Sequence, residues 1–187
     1  MLKKDYISAE KLLDDAFRLG VSIIESGYRP DCIVGVWRGG TPIAIAVQEL
    51  MEYCGFKTDH IAIRTSYYTG IDKHSEEVAI HGLEYITSRI KADQSVLIID
   101  DVFDTGMSMQ QTVFELNRKY QGDAPEVKLA APYFKPKNNQ TKLKPDYYLY
   151  ETDNWLVFPH ELQGLSLEEI LTQKPGADSI KHLLVGD

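Results

Sequence analysis

Two adjacent carboxylates and a hydroxyl-rich turn follow one apolar run in this sequence. The apolar residues 96–99 lead directly into Asp100 and Asp101, and the segment 104–108, Asp-Thr-Gly-Met-Ser, begins two residues later. A buried strand of an open α/β sheet carries such residues to its carboxyl end, where these sheets bind their ligands. Hydroxyls and backbone N–H groups at the start of a helix form a cradle for phosphate. The spacing therefore predicts a site for a phosphorylated ligand.

The acidic residues narrow the chemistry of that ligand. Asp100, Asp101 and Asp104 would repel a bare phosphate, so the ligand must also carry hydroxyl donors or arrive with a divalent cation. A sugar phosphate with free hydroxyls meets both demands. The simpler alternative is a polar strand end followed by an ordinary helix start, in which Asp104 only caps the helix. The complete order of strand, acids, turn and helix favours the ligand site.

A second glycine turn lies earlier in the chain. Residues 34–40, VGVWRGG, place Arg38 after an apolar strand, and Pro42 follows at the expected start of a helix. One Arg and several backbone N–H groups suit an anion such as pyrophosphate. Taken alone, this turn is at least as well explained by ordinary loop chemistry, and its position ahead of the main motif is what gives it weight.

The elements that must position these residues follow from hydrophobic periodicity. A helical period runs from Ser8, a plausible N-cap, to Glu25, with Gly27 as the stop. The alternation of apolar strands with helices predicts an α/β fold with a doubly wound, parallel sheet. Strands are predicted at residues 32–37, 60–67, 95–100 and 127–134, helices at 43–53 and 106–120, extended segments without an assigned partner at 146–150 and 155–158, and a short helix within 165–173.

A polar stretch between Tyr67 and Ile90 is long for a connection inside a compact domain. Such segments are functional lids or solvated insertions. The sequence shows no tandem repeat, low-complexity tract or Pro/Ser-rich linker. The simplest organisation is therefore one domain over residues 1–187.

Composition excludes several classes of partner. The net charge is −8 and 43% of the residues are hydrophobic, so a core can form but a broad basic surface for nucleic acid or anionic membrane is not expected. Residues 1–17 contain acidic residues where an export signal needs an uninterrupted apolar stretch, which predicts a cytoplasmic protein without a membrane segment. Cys32 and Cys54 lack the spacing of a zinc site or redox pair and are expected to be buried free thiols.

The segment 96–109 resembles the phosphoribosyl pyrophosphate signature of type I phosphoribosyltransferases, an apolar strand followed by two acids, two residues, Asp-Thr-Gly, one residue and Thr or Ser. The resemblance implies a mainly parallel five-stranded sheet and a small hood subdomain. It implies that Asp100 and Asp101 hold the ribose hydroxyls and Mg²⁺, and that Asp104 acts as a catalytic group near N7 of a purine. The 5-phosphate would be held by Thr105, Gly106, Met107 and Ser108.

Two other segments resemble functional loops of the purine-specific members. Trp37, Arg38, Gly39 and Gly40 correspond to the pyrophosphate loop, in which the Trp37–Arg38 bond would be cis and Arg38 would assist catalysis. Ser66 and Tyr67 resemble the start of the flexible loop that closes over the reacting ribose. A solvated insertion remains the alternative for this second loop, because loop sequence is weakly diagnostic.

The later part of the chain resembles the bacterial and archaeal hypoxanthine and xanthine-guanine phosphoribosyltransferases. The matching residues are Lys135-Pro136, Asp146-Tyr147-Tyr148, Trp155 and Pro159-His160-Glu161. These residues predict that Lys135 donates to a 6-oxo oxygen, that Trp155 and Leu156 bind the base, and that Glu161 serves the metal or an exocyclic amine. The alternatives are a solvated strand end for Lys135, a core position for Trp155 and a surface position for Glu161. His160 replaces the usual Trp, and the segment between Lys135 and Asp146 is longer than the family pattern.

These observations predict a cytoplasmic, Mg²⁺-dependent enzyme that joins the ribose 5-phosphate of phosphoribosyl pyrophosphate to a 6-oxopurine and releases pyrophosphate. The resemblance implies a homodimer or homotetramer, with a core over about residues 30–135, a hood and base-binding segment over about 136–164 together with the N-terminal region, and a tail over 165–187. One alternative is a non-catalytic sensor of phosphoribosyl pyrophosphate or nucleotides, for which a basic face and an added DNA-binding domain would be expected. Another is the same chemistry on a pyrimidine base or orotate.

Overall fold

The computed structural model describes residues 3–69 and 76–184. The chain divides into two compact units, one formed by Leu13–Asp153 and the other by the residues up to Leu12 together with those from Asn154 onward. In chain order the elements are β1 (Lys4–Tyr6), α1 (Ala9–Glu25), β2 (Cys32–Trp37), α2 (Gly40–Tyr53), β3 (Asp59–Thr69), β4 (Glu76–His81), α3 (Leu83–Arg89), β5 (Ser95–Ile99), β6 (Val102–Phe103), α4 (Met107–Lys119), β7 (Glu126–Ala130), β8 (Tyr133–Phe134), β9 (Tyr150–Glu151), β10 (Trp155–Val157), α5 (Leu167–Gln173) and α6 (Ala177–Leu184).

A five-stranded sheet forms the centre of the larger unit. Its strand order is β4-β3-β2-β5-β7, in which β2 pairs in parallel with β3 and β5, β5 pairs in parallel with β7, and β3 pairs antiparallel with β4. Every residue of β5 is buried. A strand that is covered on both faces needs a continuous apolar run, which is what the sequence supplies there. The predicted mainly parallel, five-stranded sheet is confirmed.

Helices cover both faces of this sheet. On one face Val34 and Ile98 lie in the same buried cluster as Leu83 of α3 and Leu116 of α4. On the other face α2 lies so close to β2 that a Cβ at Gly35 would be 2.9 Å from Cβ of Ala44. The sheet is therefore wound on both sides, as the alternation of strands and helices predicts.

The predicted strand at residues 127–134 is wrong as a single element, because the structure divides it into β7 and β8. β7 belongs to the five-stranded sheet, whereas β8 pairs in parallel with β6 and β9. Pro132 lies between them and has no N–H to donate to a ladder. Its carbonyl instead accepts from the backbone N–H groups of Leu149 and Tyr150, which directs the chain towards β9.

The polar stretch after Tyr67 contains more regular structure than its composition suggests. Ser66 and Tyr67 lie within β3, which runs to Thr69, and β4 returns antiparallel to it before α3 begins. Residues 70–75 lie outside the described part of the chain. The flexible-loop role of Ser66 and Tyr67 remains a prediction.

A buried carboxylate connects α1 to the small sheet of the larger unit. Asp15 is fully buried, and its carboxylate accepts from the Tyr133 hydroxyl at 2.6 Å and from the Tyr150 hydroxyl at 3.0 Å. Burial raises the pKa of Tyr133, and the hydrogen bond to the Asp15 charge raises it further. The Tyr133 hydroxyl therefore stays protonated and can donate to the carboxylate.

The two cysteines differ in their environment. Cys32 is buried at the start of β2, and burial raises the pKa of its thiol to about 12. Cys54 is exposed, because it directly follows the last residue of α2, so the expectation that both thiols are buried is wrong for this residue. Both are free cysteines.

The smaller unit is built around a pairing of two segments that are distant in sequence. β1 pairs in parallel with β10, which provides the partner for residues 155–157 that the sequence left unassigned. Ser166 caps α5 as predicted, and with Glu169 it forms a reciprocal capping box. The Glu169 carboxylate also accepts from Lys4 Nζ at 2.6 Å and from the Tyr6 hydroxyl at 2.9 Å. None of the described helices has the length and apolar character needed to cross a bilayer.

Candidate active site

The carboxyl ends of β2 and β5 bring the two predicted loops into direct contact. A Cβ at Gly40 would lie 2.2 Å from the carbonyl oxygen of Ile99, and one at Gly39 would lie 1.7 Å from Oδ2 of Asp101. Only glycine permits so close an approach between the turn after β2 and the acids after β5. The peptide bond between Trp37 and Arg38 is cis, as the sequence resemblance implies.

The carboxylates of Asp100 and Asp101, which follow β5, influence each other electrostatically. Burial and the neighbouring Asp101 charge raise the pKa of Asp100 well above its usual range. One oxygen of the Asp100 carboxylate accepts from the backbone N–H of Asp101 at 2.9 Å. Two adjacent, partly buried carboxylates repel each other, and a divalent cation would relieve that repulsion.

This pair fits the kind of site at which Mg²⁺ binds together with a substrate. Mg²⁺ is commonly held by one or two carboxylates, with water and substrate phosphate oxygens as its other ligands. Among residues 3–69 and 76–184, no group of three or more His, Cys, Asp or Glu forms a metal site on its own. Asp100 and Asp101 would therefore need ligand oxygens to complete the coordination of an ion.

The anion cradle predicted from the sequence falls at the turn from β6 into α4. Gly106 has a φ of +78° immediately before α4, and the first turn of that helix contains no acidic residue. The hydroxyl of Thr105 accepts from the backbone N–H of Met107 at 3.4 Å. A cavity of about 130 Å³ opens here, and its lining includes Asp100, Thr105, Gly106 and Ser108. A helix N-terminus of this kind favours an anion.

Asp104 is held from two sides. Its Oδ2 accepts from Lys135 Nζ at 2.8 Å and its Oδ1 accepts from Asn138 Nδ2 at 3.0 Å. The Lys135 side chain is 9% exposed and the Asp104 side chain is 40% exposed. The structure thus brings together a buried cation and a partly exposed carboxylate that the sequence predicts for one site.

Asn138 is a residue of this site that the sequence analysis does not identify. It lies in a polar segment without a recognisable motif. The available signal is the length of the segment between Lys135 and Asp146, which exceeds the family pattern and brings an additional amide to Asp104.

Comparison with known proteins decides the family. The phosphoribosyl transferase domain model matches residues 4–169, which is most of the chain. The chain belongs to the phosphoribosyltransferase family. This phosphoribosyltransferase is accordingly a transferase enzyme, and its mainly parallel sheet is the fold that the sequence predicts.

Solved structures agree with this assignment. The purine phosphoribosyltransferase of Pyrococcus horikoshii is 30% identical, with a TM-score of 0.68 over 87% of this chain and 97% of that one. Two others, at 20% identity, share the fold: a hypothetical protein from Neisseria gonorrhoeae with bound ppGpp (TM-score 0.73, 96% and 98% covered) and the Helicobacter pylori xanthine-guanine-hypoxanthine phosphoribosyltransferase (TM-score 0.64, 83% and 92%). No curated protein sequence matches the chain.

Three predicted site residues of this phosphoribosyltransferase lie in the smaller unit. Trp155 is 53% exposed, whereas Leu156 beside it is buried. The Glu161 carboxylate accepts from the backbone N–H of Phe158 at 2.9 Å, and the ring of His160 stacks on that of Phe158. The base-binding roles of Trp155 and Leu156 and the metal role of Glu161 remain predictions.

Proposed function

We propose that this phosphoribosyltransferase transfers ribose 5-phosphate from phosphoribosyl pyrophosphate to a 6-oxopurine, giving a nucleoside monophosphate and pyrophosphate. The observation that carries the proposal is the 2.8 Å contact between Lys135 Nζ and Asp104 Oδ2, which places a hydrogen-bond donor beside an acceptor. A 6-oxopurine with its proton on N7 has the complementary pair on one edge, the O6 acceptor beside the N7–H donor. Adenine carries an amino donor where Lys135 requires an acceptor.

The donor substrate fits the remaining groups. Asp100 and Asp101 would accept hydrogen bonds from the ribose hydroxyls, and the 5-phosphate would bind at the turn that begins α4, with Thr105 and Ser108 as hydroxyl ligands. Arg38, which is exposed on the glycine turn, would bind the pyrophosphate. Mg²⁺ held by Asp100, Asp101 and substrate oxygens would neutralise charge on the leaving pyrophosphate.

The reaction needs no covalent intermediate with the protein, because pyrophosphate is already a good leaving group. A nitrogen of the base attacks C1 of the ribose as the bond from C1 to pyrophosphate breaks. Asp104 accepts or shares the N7 proton of the base, while its negative charge offsets cationic character on the ribose ring. Positioning of the two reactants supplies the rest of the rate enhancement.

The relatives support this proposal at a coarser level. The Pyrococcus horikoshii protein is described as a purine phosphoribosyltransferase, and the Helicobacter pylori enzyme as acting on xanthine, guanine and hypoxanthine. The preference among these three bases depends on a few contacts around the exocyclic groups. Assembly as a homodimer or homotetramer and a cytoplasmic location remain predictions, which analytical ultracentrifugation and cell fractionation would check.

The decisive experiment follows nucleotide formation by ultraviolet absorbance with phosphoribosyl pyrophosphate and Mg²⁺. Hypoxanthine, guanine, xanthine, adenine, uracil and orotate are offered separately, with and without EDTA. Turnover confined to the 6-oxopurines and abolished by EDTA is expected. In parallel, Asp104→Asn is expected to lower kcat by about 10²- to 10⁴-fold. Tight binding of phosphoribosyl pyrophosphate without turnover of any base would instead favour the non-catalytic sensor. Turnover of uracil or orotate would show that the acceptor is a pyrimidine and not a 6-oxopurine.

A further inference from the structure

Residues 135–140, here called the strap, are tied to the backbone on both sides of Asp104. The backbone N–H of Lys135 donates to the carbonyl of Phe103 at 2.9 Å, and that of Gln140 donates to the carbonyl of Thr105 at 3.0 Å. Asp104 lies between these two anchored residues. The strap therefore has a fixed register relative to the one carboxylate to which the proposed reaction assigns a proton.

The strap is also fixed internally. The backbone N–H groups of Asn138 and Asn139 both donate to the Lys135 carbonyl, at 3.1 and 3.2 Å. The side-chain oxygen of Asn139 accepts from the backbone N–H and from the hydroxyl of Thr141, each at 2.9 Å. A turn closed by several hydrogen bonds holds its side chains in defined directions. The Asn138 amide consequently reaches Asp104 from a rigid support.

Lys135 and Asn138 both donate to Asp104, but under the proposed function only Lys135 must also donate to the substrate. Lys135 Nζ lies 2.8 Å from Oδ2 and, under the proposed function, must also donate to the 6-oxo oxygen of the base. A base that draws the ammonium towards itself weakens the hold on Oδ2. Asn138 Nδ2, 3.0 Å from Oδ1, has no such second task. It can keep the carboxylate oriented while Lys135 moves.

We propose that Asn138 is a positioning residue, which fixes Oδ1 of Asp104 so that the carboxylate keeps its orientation towards N7 of the base. The inference rests on the proposed function and extends it to a residue of the segment that is longer in this chain than in the family pattern. Asn138 acts through Asp104 and need not touch the substrate. Its effect should therefore appear in the chemical step and disappear when Asp104 is absent.

The test compares four proteins: wild type, Asn138→Ala, Asp104→Ala and the double variant. Asn138→Ala is expected to lower kcat roughly tenfold, with KM for phosphoribosyl pyrophosphate and the melting temperature unchanged, because one hydrogen bond to a charged group is lost. In the Asp104→Ala background the same change is expected to have no further effect. Asn138→Asp, which places a second carboxylate against Oδ1, should reduce kcat at least as much as Asn138→Ala and serves if that variant does not fold.

Lys137→Ala provides the matched control. Lys137 lies on the same strap, but its side chain is 78% exposed and pairs with Asp153. This variant should keep wild-type kcat. If the wild type turns over a 6-oxopurine and Asn138→Ala keeps the same kcat, the inference about Asn138 is wrong and the proposed function stands. The same conclusion follows if Asn138→Ala lowers kcat tenfold in the Asp104→Ala background as well. A wild-type protein that turns over no base would overturn the proposed function and this inference together.

Discussion

The α-carbon of Gly39 and the carboxylate of Asp101 are in such close contact that a methyl group at position 39 would lie 1.7 Å from Oδ2. The backbone of Gly39 has a φ of −69°, which any residue can adopt. The requirement for glycine at this position is therefore steric. It links the glycine turn after β2 to the acids after β5.

Gly39→Ala is expected to displace the Asp101 carboxylate and to abolish most of the transferase activity while the protein stays folded. The reason is that the added methyl group occupies the position of the carboxylate oxygen. The matched control is Gly55→Ala, where nothing lies within 4 Å of the added Cβ but φ is +85°. That control should lose about 1–2 kcal/mol of stability and keep its activity. Steady-state kinetics and thermal melting measure both effects, and full activity in Gly39→Ala would contradict the assignment of this loop.

Lys135→Met is expected to raise KM for the 6-oxopurine by roughly 10- to 100-fold, because the base loses a hydrogen bond from a charged donor. KM for phosphoribosyl pyrophosphate should remain at the wild-type value. Lys137→Met changes a nearby ammonium that pairs with Asp153 and should leave both KM values unchanged. If Lys135→Met instead raised KM for the donor and not for the base, Lys135 would have to be reassigned to the donor site.

Asp15→Ala is expected to destabilise the protein by about 2–4 kcal/mol, because it leaves the hydroxyls of Tyr133 and Tyr150 without their shared acceptor. Asp14→Ala changes the neighbouring residue on the exposed side of α1 and should cost less than about 0.5 kcal/mol. Urea denaturation of the two variants measures the difference. Equal midpoints would show that the Asp15 cluster contributes little to stability.

The lowered pKa of Glu169 predicts how the stability of the smaller unit changes as the pH falls. The hydrogen bond from Lys4, followed by those from the Ser166 backbone and the Tyr6 hydroxyl, lowers the pKa of Glu169 to about 2. In the unfolded chain the pKa of a Glu side chain is about 4.3. Because the folded pKa is the lower of the two, Glu169 stabilises the unit above about pH 4.3, and this contribution is lost as the pH falls towards about 2.

The check is amide hydrogen exchange at Ile7 and Trp155, whose N–H groups join β1 and β10. Glu169→Gln should exchange faster than wild type at pH 6, and the difference should shrink at pH 3. Glu168→Gln, on the exposed side of the same turn, should exchange like wild type at both values. A difference between wild type and Glu169→Gln that is constant with pH would rule out the charge of Glu169 as its cause.

Much of the fold could be predicted because its signals are local. The apolar run of β5, the helical period of α1 and the Ser cap of α5 each specify an element within a few residues. β4 and α3 could not be predicted in the same way, because β4 is an edge strand whose identity depends on its pairing with β3. The division between β7 and β8 depends on Pro132 and on the segment around Tyr150, distant in sequence.

The candidate site shows the same distinction. The turn from Asp100 to Ser108 is a contiguous motif, and its residues lie together as its spacing predicts. The contact of Asp104 with Asn138 arises from two segments that the fold brings together, so no motif in the sequence identifies Asn138 as the partner of Asp104. Residue types alone identify the chemistry, whereas the partners that orient each group depend on tertiary packing.

The pairing of β1 with β10 places a constraint on biosynthesis. Lys4 pairs with Trp155, so all residues up to Trp155 must leave the ribosome before β1 can find its partner. Contacts so distant in sequence form late, because the entropy of closing a long loop must be overcome first. Until then the first strand of each nascent chain has an unpaired edge, which a chaperone or a neighbouring nascent chain could occupy.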